Sequence, residues 1–181
     1  NEVCKNIGMG TNFKELFKQD TSKVFPKNIQ FCDKTIFLVD KWPCSKKQKF
    51  RFCLEKANSQ YTQGFYIEIS GKISCNGKVI ANRKRIVAPF MQDFPIMERG
   101  VIELEIEASN ECFYIGNMLE VTLEENRKCL VWVGGNEWAL NSEYAGMAMF
   151  SEEIENGKRY FCNDGTSGDS FDNLIFTAQV I

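Results

Sequence analysis

The chain has 181 residues, 44% of them hydrophobic and 13% aromatic, and a net charge of −2 with a pI near 5.4. This is one domain's length, able to bury roughly 70% of its unfolded surface. Its acidic balance argues against a nucleic-acid binder, and no apolar run approaches the ~20 residues of a membrane-spanning helix. With no histidine in the chain, Ser-His and Cys-His nucleophile pairs are excluded, so a hydrolase here would be a His-free one using paired carboxylates.

The first expected element is a short helix over residues 12–19. Asn12 stands three residues before Glu15, close to a capping box, and Phe13, Leu16 and Phe17 share a face. Strands follow at 34–40 and 49–55. The strongest strand signal is 65–75, where Phe65, Ile67, Ile69, Ile73 and Cys75 alternate with polar residues at the period of a half-buried strand. Asn76-Gly77 then predicts a two-residue hairpin turn, since both positions of such a turn need positive φ. An unbroken register from that turn puts Cys75 opposite Lys78, Ile73 opposite Ile80, Ile67 opposite Ile86 and Glu68 opposite Arg85.

The segment 88–100 loses the alternation and holds Phe90, Met91, Phe94, Ile96 and Met97 between Pro89 and Gly100. A loop this apolar either caps the core or meets a partner, and methionine adapts to protein surfaces. Phe90, Met91, Phe94 and Met97 are therefore candidate ligand contacts.

VIELEIEA at 101–108 alternates cleanly, with its glutamates outward, and MLEVTLEE at 118–125 repeats the pattern. CLVWVGGNEWAL at 129–140 reads as a hairpin around Gly134-Gly135, with Val131 opposite Trp138. Trp132 and Trp138 then fall on opposite faces, and one of them is a candidate stacking platform or binding hot spot. Residues 142–157 lean towards a helix, with Ser142 as its cap and Asn156-Gly157 as its end.

NDGTSGDSFDN at 163–173 brings Asp164, Asp169 and Asp172 within one short stretch. Their spacing excludes an EF-hand, which closes on a glutamate. An irregular calcium site on these three carboxylates stands against plain turn chemistry, and no other cofactor is implied. A last strand occupies 173–180.

Eight cysteines, Cys4, Cys32, Cys44, Cys53, Cys75, Cys112, Cys129 and Cys162, are spread over the chain with no Cys-x-x-Cys pair. That excludes zinc and dithiol redox motifs and predicts four disulfides in an oxidising compartment. The chain opens on Asn, as after removal of a signal peptide, and no Asn-x-Ser/Thr sequon occurs. Basic stretches at 45–51 and 82–85 and acidic ones at 103–107, 124–125 and 152–155 read as solvated faces that pair across the molecule.

Together these features predict an all-β single domain over 1–181, with a short N-terminal helix at about 12–19. About 29–181 would then form a disulfide-stapled, antiparallel, jelly-roll-like β-sandwich of about nine or ten strands. The functional expectation is a secreted extracellular binding protein, not an enzyme, recognising another protein through apolar and aromatic loops. A carbohydrate-binding, lectin-like module, calcium-assisted through the Asp-rich loop, is the alternative, and the His-free hydrolase follows.

Overall fold

The computed structural model describes residues 10–91, 100–134, 137–138, 146–164 and 168–181; the side chains of 83–89, 91, 132–134 and 137–138 are outside that description. The chain forms one helix, α1 (Phe13–Gln19), and then thirteen strands. These are β1 (Asn28–Phe31), β2 (Lys34–Phe37), β3 (Asp40–Pro43), β4 (Gln48–Ala57), β5 (Thr62–Cys75), β6 (Lys78–Met91) and β7 (Val101–Ala108). They continue as β8 (Cys112–Thr122), β9 (Lys128–Gly134), β10 (Glu137–Trp138), β11 (Met147–Ile154), β12 (Gly157–Asp164) and β13 (Leu174–Val180).

All the strand pairs are antiparallel and belong to a single 13-stranded sheet, in the order β1-β2-β11-β12-β13-β4-β7-β5-β8-β9-β10, with β3 on β8 and β6 on β5. This corrects the two-sheet, jelly-roll expectation: one sheet folds over itself. The fold-over comes from strands that run on past a corner. β5 pairs with β8 through Thr62–Glu68 and with β7 through Gly71–Ser74. On their other side, β8 takes β3 and β7 takes β4. Gly71 marks the corner, because a Cβ there would lie 2.0 Å from the Glu107 carbonyl oxygen, and its φ of +151° is one that side chains rarely adopt. β2 meets β11 through Phe37 and Met149, while β3, the next strand along the chain, pairs with β8, so the sheet wraps around one core.

That core is built from the alternating apolar positions. Phe50 and Phe52 of β4, Phe65, Ile67 and Ile73 of β5, Ile102, Leu104 and Ile106 of β7, and Phe176 of β13 are all buried in one cluster. Phe65 stacks on Phe52 at 4.8 Å and on Phe90 and Phe176 at 5.1 Å each. A second cluster lies under α1, where Phe13 and Phe17 pack with Phe31, Ile36, Ala148 and Phe171. The Asn12 side chain caps the helix by accepting the Glu15 amide at 3.1 Å, as the sequence predicts.

Three local expectations are corrected. Residues 147–154 are a strand and not part of a helix. MAMFSEEI pairs with β12, from Met147 opposite Asp164 to Ile154 opposite Gly157. Asn156, at φ 57°, serves a hairpin turn instead of a helix end. β8 ends at Thr122 and buries both Met118 and Leu119, because each of its faces is covered by its own cluster. In the β9–β10 hairpin Trp138 faces Val133 and Glu137 faces Gly134, so the turn lies one residue later than expected.

The disulfide framework is corrected as well. Cys44, Cys53, Cys75, Cys112, Cys129 and Cys162 are free thiols. Cys32 is disulfide-bonded, and Cys4 lies outside the described residues. The strand registers pair five of the six with residues other than cysteine, while Cys44, next to Pro43, lies beside Cys112 without a bond to it. Cys53 faces Val101 and Thr177, Cys75 faces Lys78, Cys112 faces Pro43, Cys129 faces Val121, and Cys162 faces Met149 and Leu174. No strand neighbour of a described cysteine is another cysteine, and a bridge needs Cα atoms within about 7 Å. Cys44, Cys75 and Cys162 instead fill space in the main core as small apolar side chains.

Candidate functional site

Of the sequence-predicted apolar and aromatic contacts, only Phe90 has a described side chain. Phe90 is 1% exposed and stacked in the core, so it is a packing residue and not a surface contact. Met91 ends β6, while Phe94 and Met97 lie outside the described residues. Trp132 and Trp138 occupy β9 and β10, with side chains outside the description. The third tryptophan, Trp42, is in the core, lying 6.0 Å from the Phe113 ring and parallel to it.

The Asp-rich loop is a set of internal tethers. Asp164 is fully buried and accepts the Ser59 hydroxyl, while its own amide donates to Asn173 Oδ1 at 3.1 Å. Asp169 accepts the Thr11 amide at 2.8 Å and the Thr11 hydroxyl at 2.5 Å, fastening the segment that leads into α1. Asp172 pairs with Lys56 at 2.7 Å and accepts the Ser170 hydroxyl. Those two contacts, Lys56 first, hold its carboxyl below the usual 3.8. The three carboxylates thus serve three separate jobs. Among the described residues, no group of three or more acidic or cysteine side chains is placed to hold a metal.

A polar cluster at the margin of the core ties two distant parts of the sheet together, with Trp42 and Tyr160 buried and Asp40 and Lys158 half-buried. The Trp42 Nε1–H donates to the Tyr160 hydroxyl at 2.5 Å, the Tyr160 hydroxyl donates to Asp40 at 2.6 Å, and Lys158 reaches the same Asp40 oxygen at 2.9 Å. Each polar group finds a partner, as buried groups must. Burial, and then the Asp40 charge, push the Tyr160 hydroxyl well above the usual 10.0. Sequence reasoning missed this cluster because its members sit up to 120 residues apart.

The basic stretch 45–51 meets the acidic stretch 103–107 as the sequence predicts. Arg51 bonds Glu103 at 2.7 Å, Lys47 reaches Glu105 at 3.3 Å, and Lys72 reaches Glu107 at 3.3 Å, all across β4, β7 and β5. A cleft of about 220 Å³ beside this ladder is lined by Lys49, Ser74, Asn76, Glu103, Leu104 and Glu105.

The remaining feature is β6. Among the described residues it pairs only with β5, so its second edge has no strand beside it. The turn forms as expected, with Asn76 at φ 50°, Gly77 at φ 77°, and Cys75 opposite Lys78. The register then shifts twice. Ser74 faces Val79 but Ile73 faces Ala81, so Ile80 is an extra residue on β6. Ile69 faces Ile86 while Gly71 faces Arg83, a second irregularity, and Glu68 faces Val87 instead of Arg85. Simple alternation would put Val79 and Ile80 on opposite faces. The bulge leaves both outside, 46% and 40% exposed, and hands the inner position to Ala81. Bulges are frequent at sheet edges and re-aim side chains in this way. Compared with family models, with curated proteins and with solved structures, the chain matches none.

Proposed function

We propose that this chain is a protein-binding domain whose contact surface is the free edge of β6 beside the β5–β6 turn. The observation that supports this most directly is the exposed Val79–Ile80 pair on a strand whose second edge has no partner strand among the described residues. Open backbone donors and acceptors beside apolar side chains are a docking edge for another chain. Of the loop that the sequence offered for this role, Phe90 packs in the core, and Phe94 and Met97 lie outside the described residues. The four-bridge argument for an extracellular setting falls with the six thiols, so the proposal concerns the surface and leaves the compartment to expression and fractionation.

The test is site-specific photocrosslinking. A photoreactive residue replaces Val79 in one preparation and Glu155, on the β11–β12 turn, in another. Protein adducts from position 79 and none from position 155 are expected in native extracts and on cell surfaces. Equal labelling from both positions, or none from 79, overturns the proposal.

A glycan reading has one observation behind it. The polar cleft at the same hairpin offers Ser74, Asn76, Lys49 and two carboxylates to hydroxyl groups. Retention on a glycan array that Asn76→Ala abolishes would favour it. The hydrolase reading gains nothing from that cleft, because Glu103 and Glu105 are already ion-paired with Arg51 and Lys47.

A further inference from the structure

We infer that Asn76 is a site of spontaneous deamidation and that the fold withholds the same reaction from Asn156; this stands apart from the protein-binding reading above. The sequence holds two Asn-Gly pairs, Cys75-Asn76-Gly77-Lys78 and Glu155-Asn156-Gly157-Lys158. By local sequence they are equals, because in each the glycine leaves its own amide open to the asparagine side chain before it. Register separates them. In the first hairpin Cys75 faces Lys78, so Asn76 and Gly77 are both turn residues. In the second Ile154 faces Gly157, so the turn residues are Glu155 and Asn156 and the glycine already belongs to β12.

In deamidation the Gly77 amide nitrogen attacks Asn76 Cγ. An N–Cγ bond forms, the Cγ–Nδ2 bond breaks, and the amide proton leaves with the side-chain nitrogen as ammonia. Water then opens the cyclic imide at either carbonyl, giving aspartate or isoaspartate, with no oxidant or cofactor needed. Ring closure requires the backbone between the two residues to rotate out of the turn. At Asn76 little opposes that rotation. Both residues are exposed, and a Cβ on Gly77 would meet nothing within 4 Å. Among the described residues no hydrogen bond holds the Asn76 side chain or the Gly77 amide. Asn156 is held from β13. Its carbonyl accepts the Val180 amide at 2.9 Å, and the Glu155 carbonyl accepts Gln179 Nε2 at 2.9 Å. Gly157 also pairs with Gln179, and a Cβ on it would lie 1.9 Å from the Ala178 carbonyl oxygen. The same rotation there breaks those bonds and presses the turn into β13. The product at Asn76 is a new carboxylate, and through isoaspartate a longer backbone, in the turn that leads into Val79 and Ile80.

The experiment ages the full chain in mildly alkaline buffer, folded and in urea, and follows both peptides by mass spectrometry after digestion in acid. In the folded chain Asn76 should react about tenfold faster than Asn156 or more, the margin set by two hydrogen bonds. In urea the two rates should converge, since the tetrapeptides differ only in their first residue. Gln179→Ala removes one restraint and should speed Asn156 several-fold while leaving Asn76 unchanged; should that variant misfold, the comparison of folded and unfolded wild type decides alone. Equal rates in the folded chain, or an unreactive Asn76 while the unfolded chain reacts, overturn the inference. A gap that persists in urea overturns it too, by assigning the difference to local sequence and not to the fold.

Discussion

At the scale of single residues, two close approaches set the shape of the core. Gly116 lies opposite Tyr66, and a Cβ on it would come within 2.5 Å of the tyrosine ring. Tyr66 is fully buried and has no space to retreat. Gly116→Ala is therefore expected to destabilise the fold by about 1–3 kcal/mol, as overpacking does, read as a lower urea midpoint. The hydroxyl of Tyr160 bridges Trp42 and Asp40. Tyr160→Phe leaves the buried Trp42 N–H without that acceptor and should lose about 1–3 kcal/mol. Burial raises both Tyr66 and Tyr160 above the usual 10.0. In the unfolded chain both ionise near pH 10, while in the folded chain they stay protonated. Their contribution to stability is thus complete below pH 10 and is lost as pH climbs above it. Denaturation midpoints between pH 8 and 11 should fall steeply at the alkaline end, with a shallower fall in Tyr160→Phe. An alkaline limb identical in wild type and variant would refute the assignment to Tyr160.

At the scale of elements, α1 has seven residues, too few to persist alone. It is held by Phe13 and Phe17 in the cluster below it and by the two Thr11–Asp169 hydrogen bonds at its start. Asp169→Ala should speed amide exchange in 13–19 at least several-fold and leave β4, β5 and β7 unchanged. Phe13→Ala removes a fully buried ring and should destabilise by about 3–5 kcal/mol. The β5–β6 hairpin shows how one inserted residue rewrites a face. The sequence places the turn correctly, yet the bulge at Ile80 shifts each pair beyond it. Gly77, at φ 77° with open space around it, is constrained by its backbone alone. Gly77→Ala should cost about 1 kcal/mol in urea denaturation, with no effect on the core.

At the scale of the whole molecule, stability comes from a wrapped sheet around one aromatic core, not from a lattice of disulfides. Thiol titration of the denatured, unreduced chain should return six thiols, matching the six free cysteines; a value near zero would restore the four-bridge framework. Millimolar calcium should leave the melting temperature unchanged, since Asp164, Asp169 and Asp172 are engaged with Ser59, Thr11 and Lys56.

The sequence alone determined the local alternation of strands such as 101–108, the Asn12 cap, the Asn76-Gly77 turn and the pairing of the basic 45–51 stretch with the acidic 103–107 stretch. Each of these depends on neighbours within a few residues, or on a period of two that any half-buried strand must show. Only the tertiary structure decided the rest. MAMFSEEI fits either period by itself and became a strand because β2 and β12 flank it. Which cysteines meet is decided by register, and not by count. Phe90 turned inward because Phe65 offered it a stacking partner across β5 and β6. The exposed Val79–Ile80 pair, on which the proposed role depends, arises from a bulge where β6 carries one residue more than β5. A sequence read strand by strand has no term for such a mismatch, because it exists only between two strands.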